Sequence, residues 1–122
     1  MSSVNRQGEV WVFAEQEEHR LSDVPLELLS KGRELADKLS VPLACVLVGG
    51  NVAGLADKLI RHGADRVYLV DDARLGHYQT AGYARVLCDL IGERRPQICI
   101  FGATAMGRDL APTVASTLRC GL

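Results

Sequence analysis

The residues best suited to chemistry lie in one short segment, Gly102-Ala-Thr-Ala-Met-Gly-Arg-Asp109. Gly102 and Gly107 have the G-x-x-x-x-G spacing of a loop that cradles phosphate, in which backbone N–H groups and a helix N-terminus hold the anion. That motif continues with Lys and then Ser or Thr, whereas this chain continues with Arg108 and Asp109. An aspartate cannot replace a magnesium-ligating hydroxyl without adding charge beside the phosphates, so nucleotide hydrolysis is not supported. The plain reading of Asp109 is stabilisation of the first turn of a helix. Arg108 stays open between a phosphate contact, a pair with a partner's carboxylate and simple solvation. Thr104 is a nucleophile only with an organised base, and the sequence displays none.

The remaining inventory is thin. His19, His62 and His77 are scattered, with no cysteine or serine at a nucleophile spacing. Glu17-Glu18 and Asp71-Asp72 are adjacent pairs that tend to diverge in direction and suit solvated loops. Cys45, Cys88, Cys99 and Cys120 form no C-x-x-C pair and read as small buried hydrophobes with free thiols.

Composition excludes several classes of function. A chain of 122 residues leaves room for one domain. Its 48% apolar and 24% charged residues fit a soluble globular core. Fourteen Lys and Arg against fifteen Asp and Glu give a net charge of -1, so no global field holds nucleic acid or an acidic membrane. Aromatic residues are 5%, too few for the stacking platforms of single-strand binders. The longest uncharged stretch, Leu39 to Ala56, is broken by Pro42, Gly49, Gly50 and Gly54 and cannot span a membrane. The start carries no apolar secretion signal, which predicts a cytoplasmic protein.

The elements that must position the segment follow from periodicity. Glu9 to Ala14 is short, β-branched and aromatic and predicts a strand. After a polar bend over Glu15 to Arg20, Ser22 and Asp23 offer caps and Pro25 suits the first turn of a helix running to Leu39. Pro42 to Val48 is a continuous apolar run, the pattern of a strand covered on both faces. Asn51 is the expected cap of a second helix whose apolar positions are Val52, Leu55, Ala56, Leu59 and Ile60, with His62 in its last turn and Gly63 as its left-handed end. Arg66 to Val70 predicts a third strand and Tyr78 to Glu93 a third helix, with Gly92 and Pro96 at its exit. Gln97 to Phe101 is the fourth strand, Gly102 to Gly107 a loop, and Arg108 to Arg119 a fourth helix with Pro112 near its first turn.

Four βα units predict an open, doubly wound parallel α/β sheet with helices on both faces and strand order 3-2-1-4, with a flavodoxin-like order as the alternative. In such a sheet ligands or partners meet the crevice beyond the strand C-termini where the order reverses. The loops after strands one and four face it, which makes Glu15, Gly102, Thr104, Gly107, Arg108 and Asp109 the candidate site for a partner or an anion. No group of metal ligands is expected.

Four segments in order resemble a known family. Val10-Trp-Val-Phe-Ala-Glu15, Leu28 to Leu39, Gly63-Ala-Asp-Arg-Val-Tyr68 and Gly102 to Pro112 are similar to the N-terminal domain of the alpha subunit of electron transfer flavoproteins. That resemblance implies a heterodimer with a beta subunit, and electron transfer between dehydrogenases, acyl-CoA dehydrogenase-type or other flavin enzymes, and a further acceptor. It implies an electron carrier rather than a stand-alone enzyme, with FAD held by a C-terminal domain. The family continues beyond Gly121-Leu122, so residues 1–122 are expected to be a truncated N-terminal, non-FAD domain with no FAD-binding residue of its own. A small nucleotide-binding module of universal-stress-protein type and a small hydrolase or transferase are the alternatives. The first calls for a phosphate loop ending in Gly and Ser or Thr, the second for an organised nucleophile and base.

Overall fold

The structure, a computed structural model, describes residues 6–119. Four parallel strands form the main sheet: β1 (Val10–Phe13), β4 (Leu43–Gly49), β5 (Arg66–Asp71) and β6 (Ile98–Ile100), in the order β5-β4-β1-β6. Counting these four alone, the order is 3-2-1-4, as the βα succession predicts. β1 sits between β4 and β6, with Val10 opposite both Leu43 and Ile98.

Every residue of β1 and β4 is buried. Side chains alternate across a strand, so Val10, Val12, Leu43, Cys45 and Leu47 pack into one core and Trp11, Phe13, Ala44, Val46 and Val48 into the other. The first core is closed by Leu29 and Ala36 of α1 (Asp23–Leu39) and Leu59 of α2 (Ala56–Arg61). The second is closed by Tyr83, Leu87 and Cys88 of α3 (Thr80–Arg94) and Leu110 and Val114 of α4 (Ala105–Arg119). Gly32 lets α1 lie close to the sheet, since a Cβ there would stand 3.0 Å from Leu43 Cδ1. Cys45 and Cys88 are buried free thiols and Cys99 is half-buried, while Cys120 lies outside the described residues. Burial pushes the Cys45 thiol up to about 12.

Several local expectations are corrected. The bend after β1 is a hairpin of β2 (Gln16–Glu17) and β3 (Arg20–Leu21), whose turn residues Glu18 and His19 take φ of 50° and 64°. A two-residue hairpin turn requires positive φ, which Asn and Gly usually supply. Ser22 stands at the N-cap of α1, but its side chain makes no capping bond. Asn51 does not cap the second helix either; it is itself left-handed at φ 58°. Asp71 caps instead, accepting from the N–H groups of Asn51 (2.6 Å) and Ala53 (3.3 Å), because the β4–β5 pairing brings Gly49 opposite Asp71. That helix divides into a 3-10 turn at Ala53–Leu55 and α2, which turns Ile60 outward. Its end follows expectation: His62 Nδ1 lies 2.7 Å from Lys58 O, and Gly63 has φ 113°.

α3 begins at Thr80 rather than Tyr78, and Gly92 lies inside it. Arg95 makes the left-handed exit at φ 52°, because Pro96 disfavours a right-handed helical residue before it. α4 begins at Ala105 rather than Arg108, which places Pro112 inside the helix instead of near its first turn.

Charge ties α1 to the turn that leads from α2 into β5. Arg33 of α1 reaches Asp65 (2.9 Å), Asp37 (2.9 Å) and the carbonyl of Gly63 (3.0 Å). Asp65 also accepts from Leu43 N at 2.8 Å. That backbone bond, with Arg33 beside it, holds the Asp65 carboxyl below the usual carboxylate range.

Two outcomes follow for stability. Leu47→Ala, at a fully buried position, is expected to cost about 2–5 kcal/mol in urea unfolding. A carboxyl whose pKa is lowered by folding stabilises the protein above its unfolded value of about 3.9 and loses that contribution as pH falls through the folded one. Asp65→Asn should therefore be less stable than wild type at pH 7, and the gap between their urea midpoints should close below about pH 4. A gap independent of pH would assign the effect to packing.

Candidate functional site at the sheet switch point

β1 and β6 are adjacent in the sheet, and the chain leaves them toward opposite layers. Their C-terminal loops therefore meet, and a chain of hydrogen bonds joins them. Thr104 Oγ1 donates to Glu15 Oε1 at 2.5 Å and accepts from the N–H of Gly107 at 3.0 Å. Thr104 is thus the N-cap of α4 bonding the third residue of the helix, which explains why the helix starts three residues early. The Glu15 carboxylate stands beyond it, at the positive end of the helix dipole. Glu15 O also accepts from Ser22 N at 3.0 Å, which closes the β2–β3 hairpin against the same loop.

The two glycines are explained by the loop itself. A Cβ on Gly107 would fall 1.9 Å from the carbonyl oxygen of Gly102, and one on Gly102 would fall 2.7 Å from Val24 Cγ1. The close approach that requires glycine is therefore chain against chain. The adjoining hollow, bordered by Glu15, Gln16, Ser22, Thr104 and Met106, measures about 210 Å³. FAD does not fit it: the space falls short of the several hundred Å³ that usually enclose such a ligand, and its pyrophosphate would face a carboxylate.

The other candidates lie on α4. Asp109 reaches across to α3, accepting from Tyr78 Oη at 2.6 Å and from Thr80 Oγ1. Those two hydroxyls, Thr80 first, hold its carboxyl below the usual range. Its role is to fasten the start of α3 to α4. Arg108 is exposed in the first turn of α4, with no side-chain partner among the described residues.

Three features of this end of the sheet carry no clear sequence signal. Gln16 is buried, and its Nε2 donates to Val48 O at 3.1 Å, closing the end of β4. Tyr83 Oη donates to Leu75 O at 2.7 Å. His19 and His77, far apart in sequence, border one cleft of about 460 Å³ with Glu17, Glu18 and Tyr78. Among the described residues no group of three His, Cys, Asp or Glu side chains could hold a metal ion. No helix among them is long and apolar enough to cross a membrane.

These features define a doubly wound α/β domain in which hydrogen bonds from Thr104 to Glu15 and from Gly107 to Thr104 link the two loops at the switch point. A model of the electron transfer flavoprotein domain matches residues 10–122. The chain is 51% identical over 113 residues to the electron transfer flavoprotein subunit alpha of Clostridium acetobutylicum, covering 93% of this chain and 34% of that protein. It is 47% identical to the protein of the same name from Megasphaera elsdenii, with 93% and 33% covered. It is 41% identical to the acryloyl-CoA reductase electron transfer subunit beta of Anaerotignum propionicum, with 99% and 33% covered. The chain belongs to the electron transfer flavoprotein family. It spans about a third of the length of these relatives.

Thr104→Ala is expected to destabilise the protein by about 1 kcal/mol, as loss of an N-cap does, and Thr104→Ser to stay near wild type. Equal losses in both variants, read by thermal melting, would mean that the methyl group and not the hydroxyl matters.

Proposed function

We propose that this chain is the N-terminal domain, residues 1–122, of the alpha subunit of an electron transfer flavoprotein. It serves electron transfer between flavin dehydrogenases, acyl-CoA dehydrogenase-type or other, and a further acceptor, and it does so in the cytoplasm by packing against a beta subunit. The observation that carries this reading is the 51% identity, continuous over 113 residues, to a relative of that name. On this reading the domain is part of an electron carrier rather than a stand-alone enzyme, and FAD is held outside these residues. The small hollow at the switch point, bordered by the Glu15 carboxylate, favours that division of labour. A phosphate-binding module presents free N–H groups at this helix start, whereas here Thr104 accepts from Gly107 N and binds Glu15.

Two surfaces suit association. Among the described residues β6 is paired on one side, with β1, and carries no charge along Ile98–Ile100, all three residues being partly exposed. An uncharged open edge is a template for another strand. Arg108, exposed beside the switch point, can take a partner's carboxylate.

Co-expression with the beta subunit and affinity purification test the reading. The expected result is a 1:1 complex by light scattering, and a chain that elutes alone overturns it. Arg108→Ala should weaken that complex while leaving the melting temperature near wild type. The chain purified without further domains should show no flavin absorbance and should leave FAD fluorescence unquenched on titration. A stoichiometrically yellow protein would place a flavin site within these residues.

A further inference from the structure

The Glu9 carboxylate, just before β1, joins three side chains. Its Oε1 accepts from Trp11 Nε1 at 2.9 Å and from Tyr68 Oη at 2.5 Å, and its Oε2 pairs with Arg66 Nη1 at 2.8 Å. Sheet register makes the meeting. Trp11 of β1 and Arg66 of β5 both stand opposite Ala44 of β4, and Tyr68 follows Arg66 by two residues, on the same face. Ala44 carries only a methyl group, so the indole and the phenol reach each other over β4, with ring centroids 5.1 Å apart and planes inclined at 46°. Trp11 is fully buried, and the Arg94 guanidinium of α3 lies 5.4 Å from the centre of the Tyr68 ring.

A buried indole N–H asks for one acceptor, which a neutral oxygen satisfies without the cost of desolvating a charge. A carboxylate shared with a phenol in ring contact goes further. Indole and phenol give up a single electron more readily than aliphatic side chains do, and either becomes a far stronger acid on doing so. Each then requires a base within hydrogen-bond reach, and one oxygen of Glu9 serves both. Arg66 fixes the carboxylate by its other oxygen. Arg94 opposes positive charge on the Tyr68 ring, so the phenol loses its electron only as its proton leaves for Glu9. The neutral phenoxyl is the more stable of the two radicals, which gives the transfer its direction.

We propose that Glu9, Trp11 and Tyr68 form a proton-coupled relay that returns an oxidised Trp11 to its resting state. The oxidant is an oxygen-centred radical of the peroxyl class. It takes one electron from Trp11 and, with a proton from water, becomes a hydroperoxide and leaves hydroxide, while the Nε1 proton passes to Glu9 Oε1. Tyr68 then gives an electron to Trp11 as the Glu9 proton returns to Nε1 and the Oη proton replaces it on Oε1. A small thiolate supplies the last electron to Tyr68, Glu9 returns the proton to Oη, and a thiyl radical departs. No side chain is consumed. The relay rests on contacts within this chain and is independent of the subunit reading above.

Trp11 is the one tryptophan of the chain, so a laser flash that ionises indole places the first radical there, with dissolved dioxygen collecting the ejected electron. Indolyl and phenoxyl radicals absorb in separate visible bands. In the full chain the indolyl band should decay at the rate at which the phenoxyl band rises, and both should slow in D2O. Tyr68→Phe keeps the ring and should abolish the rise, whereas Glu9→Gln should slow it about tenfold or more. Tyr78→Phe should leave it unchanged, since Tyr78 stacks on Tyr83 and donates to Asp109. Circular dichroism and melting temperature check each variant for folding. An indolyl radical that persists in the wild type overturns the relay, as does a phenoxyl rise that survives Tyr68→Phe or is lost in Tyr78→Phe. Rates unchanged in D2O and in Glu9→Gln overturn the part given to the carboxylate. The D2O measurement needs no variant and decides that part even where Glu9→Gln does not fold.

Discussion

The rest of the molecule depends on β1 and β4 having no face that can meet water. All four positions of β1 and all seven of β4 are buried whichever way they point, so the sheet must be covered on both sides. Covering helices connected in parallel leave one geometry, in which the chain goes out to one layer from β1 through β5 and to the other after β5. The crossover from β5 to β6 then carries the chain past β4 and β1 and creates the point where strand order reverses. The location of the crevice is a consequence of burial.

What fills that crevice is a separate matter. In many sheets of this kind the reversal point leaves a helix N-terminus free for a phosphate. Here the orphan N–H of Gly107 is satisfied by Thr104, and the negative charge that the helix dipole favours is supplied by Glu15. One short chain of three residues caps α4 and ties the loops after β1 and β6. Asp109 extends the same economy by fastening α3 to α4 through Tyr78 and Thr80. The hydroxyl and carboxylate groups of the motif thus bind other parts of the domain, while Arg108 is exposed without a side-chain partner among the described residues.

Side chains from distant elements repeatedly take over tasks that local sequence assigns to neighbours. Asp71 caps the turn after Asn51, Gln16 closes β4 at Val48, and Asp65 accepts from Leu43 N while holding Arg33. Each depends on strand pairing, which brings groups together regardless of their separation along the chain. Asn51 and Asp71 are the positions where local reasoning misassigns a role, because the β4–β5 pairing puts the Asp71 carboxylate at the N–H groups of Asn51 and Ala53.

The short apolar run from Val10 to Phe13, the unbroken run from Leu43 to Val48 and the helical spacing of Tyr83 and Leu87 determined the class of fold by themselves, because burial area depends chiefly on residue type and period, whereas the pairing of the strands chose the order 3-2-1-4 over the flavodoxin-like alternative. The motif from Gly102 to Asp109 likewise stood out, and its family relationship was legible from residues alone. The tertiary structure decided the meaning of that motif. Only the meeting of the β1 and β6 loops shows that Glu15 lies on Thr104, that the glycines make room for backbone rather than for phosphate, and that Asp109 belongs to α3. Hydrogen bonds act over about 3 Å between atoms whose sequence separation here reaches 89 residues, and no local pattern encodes which of them will meet.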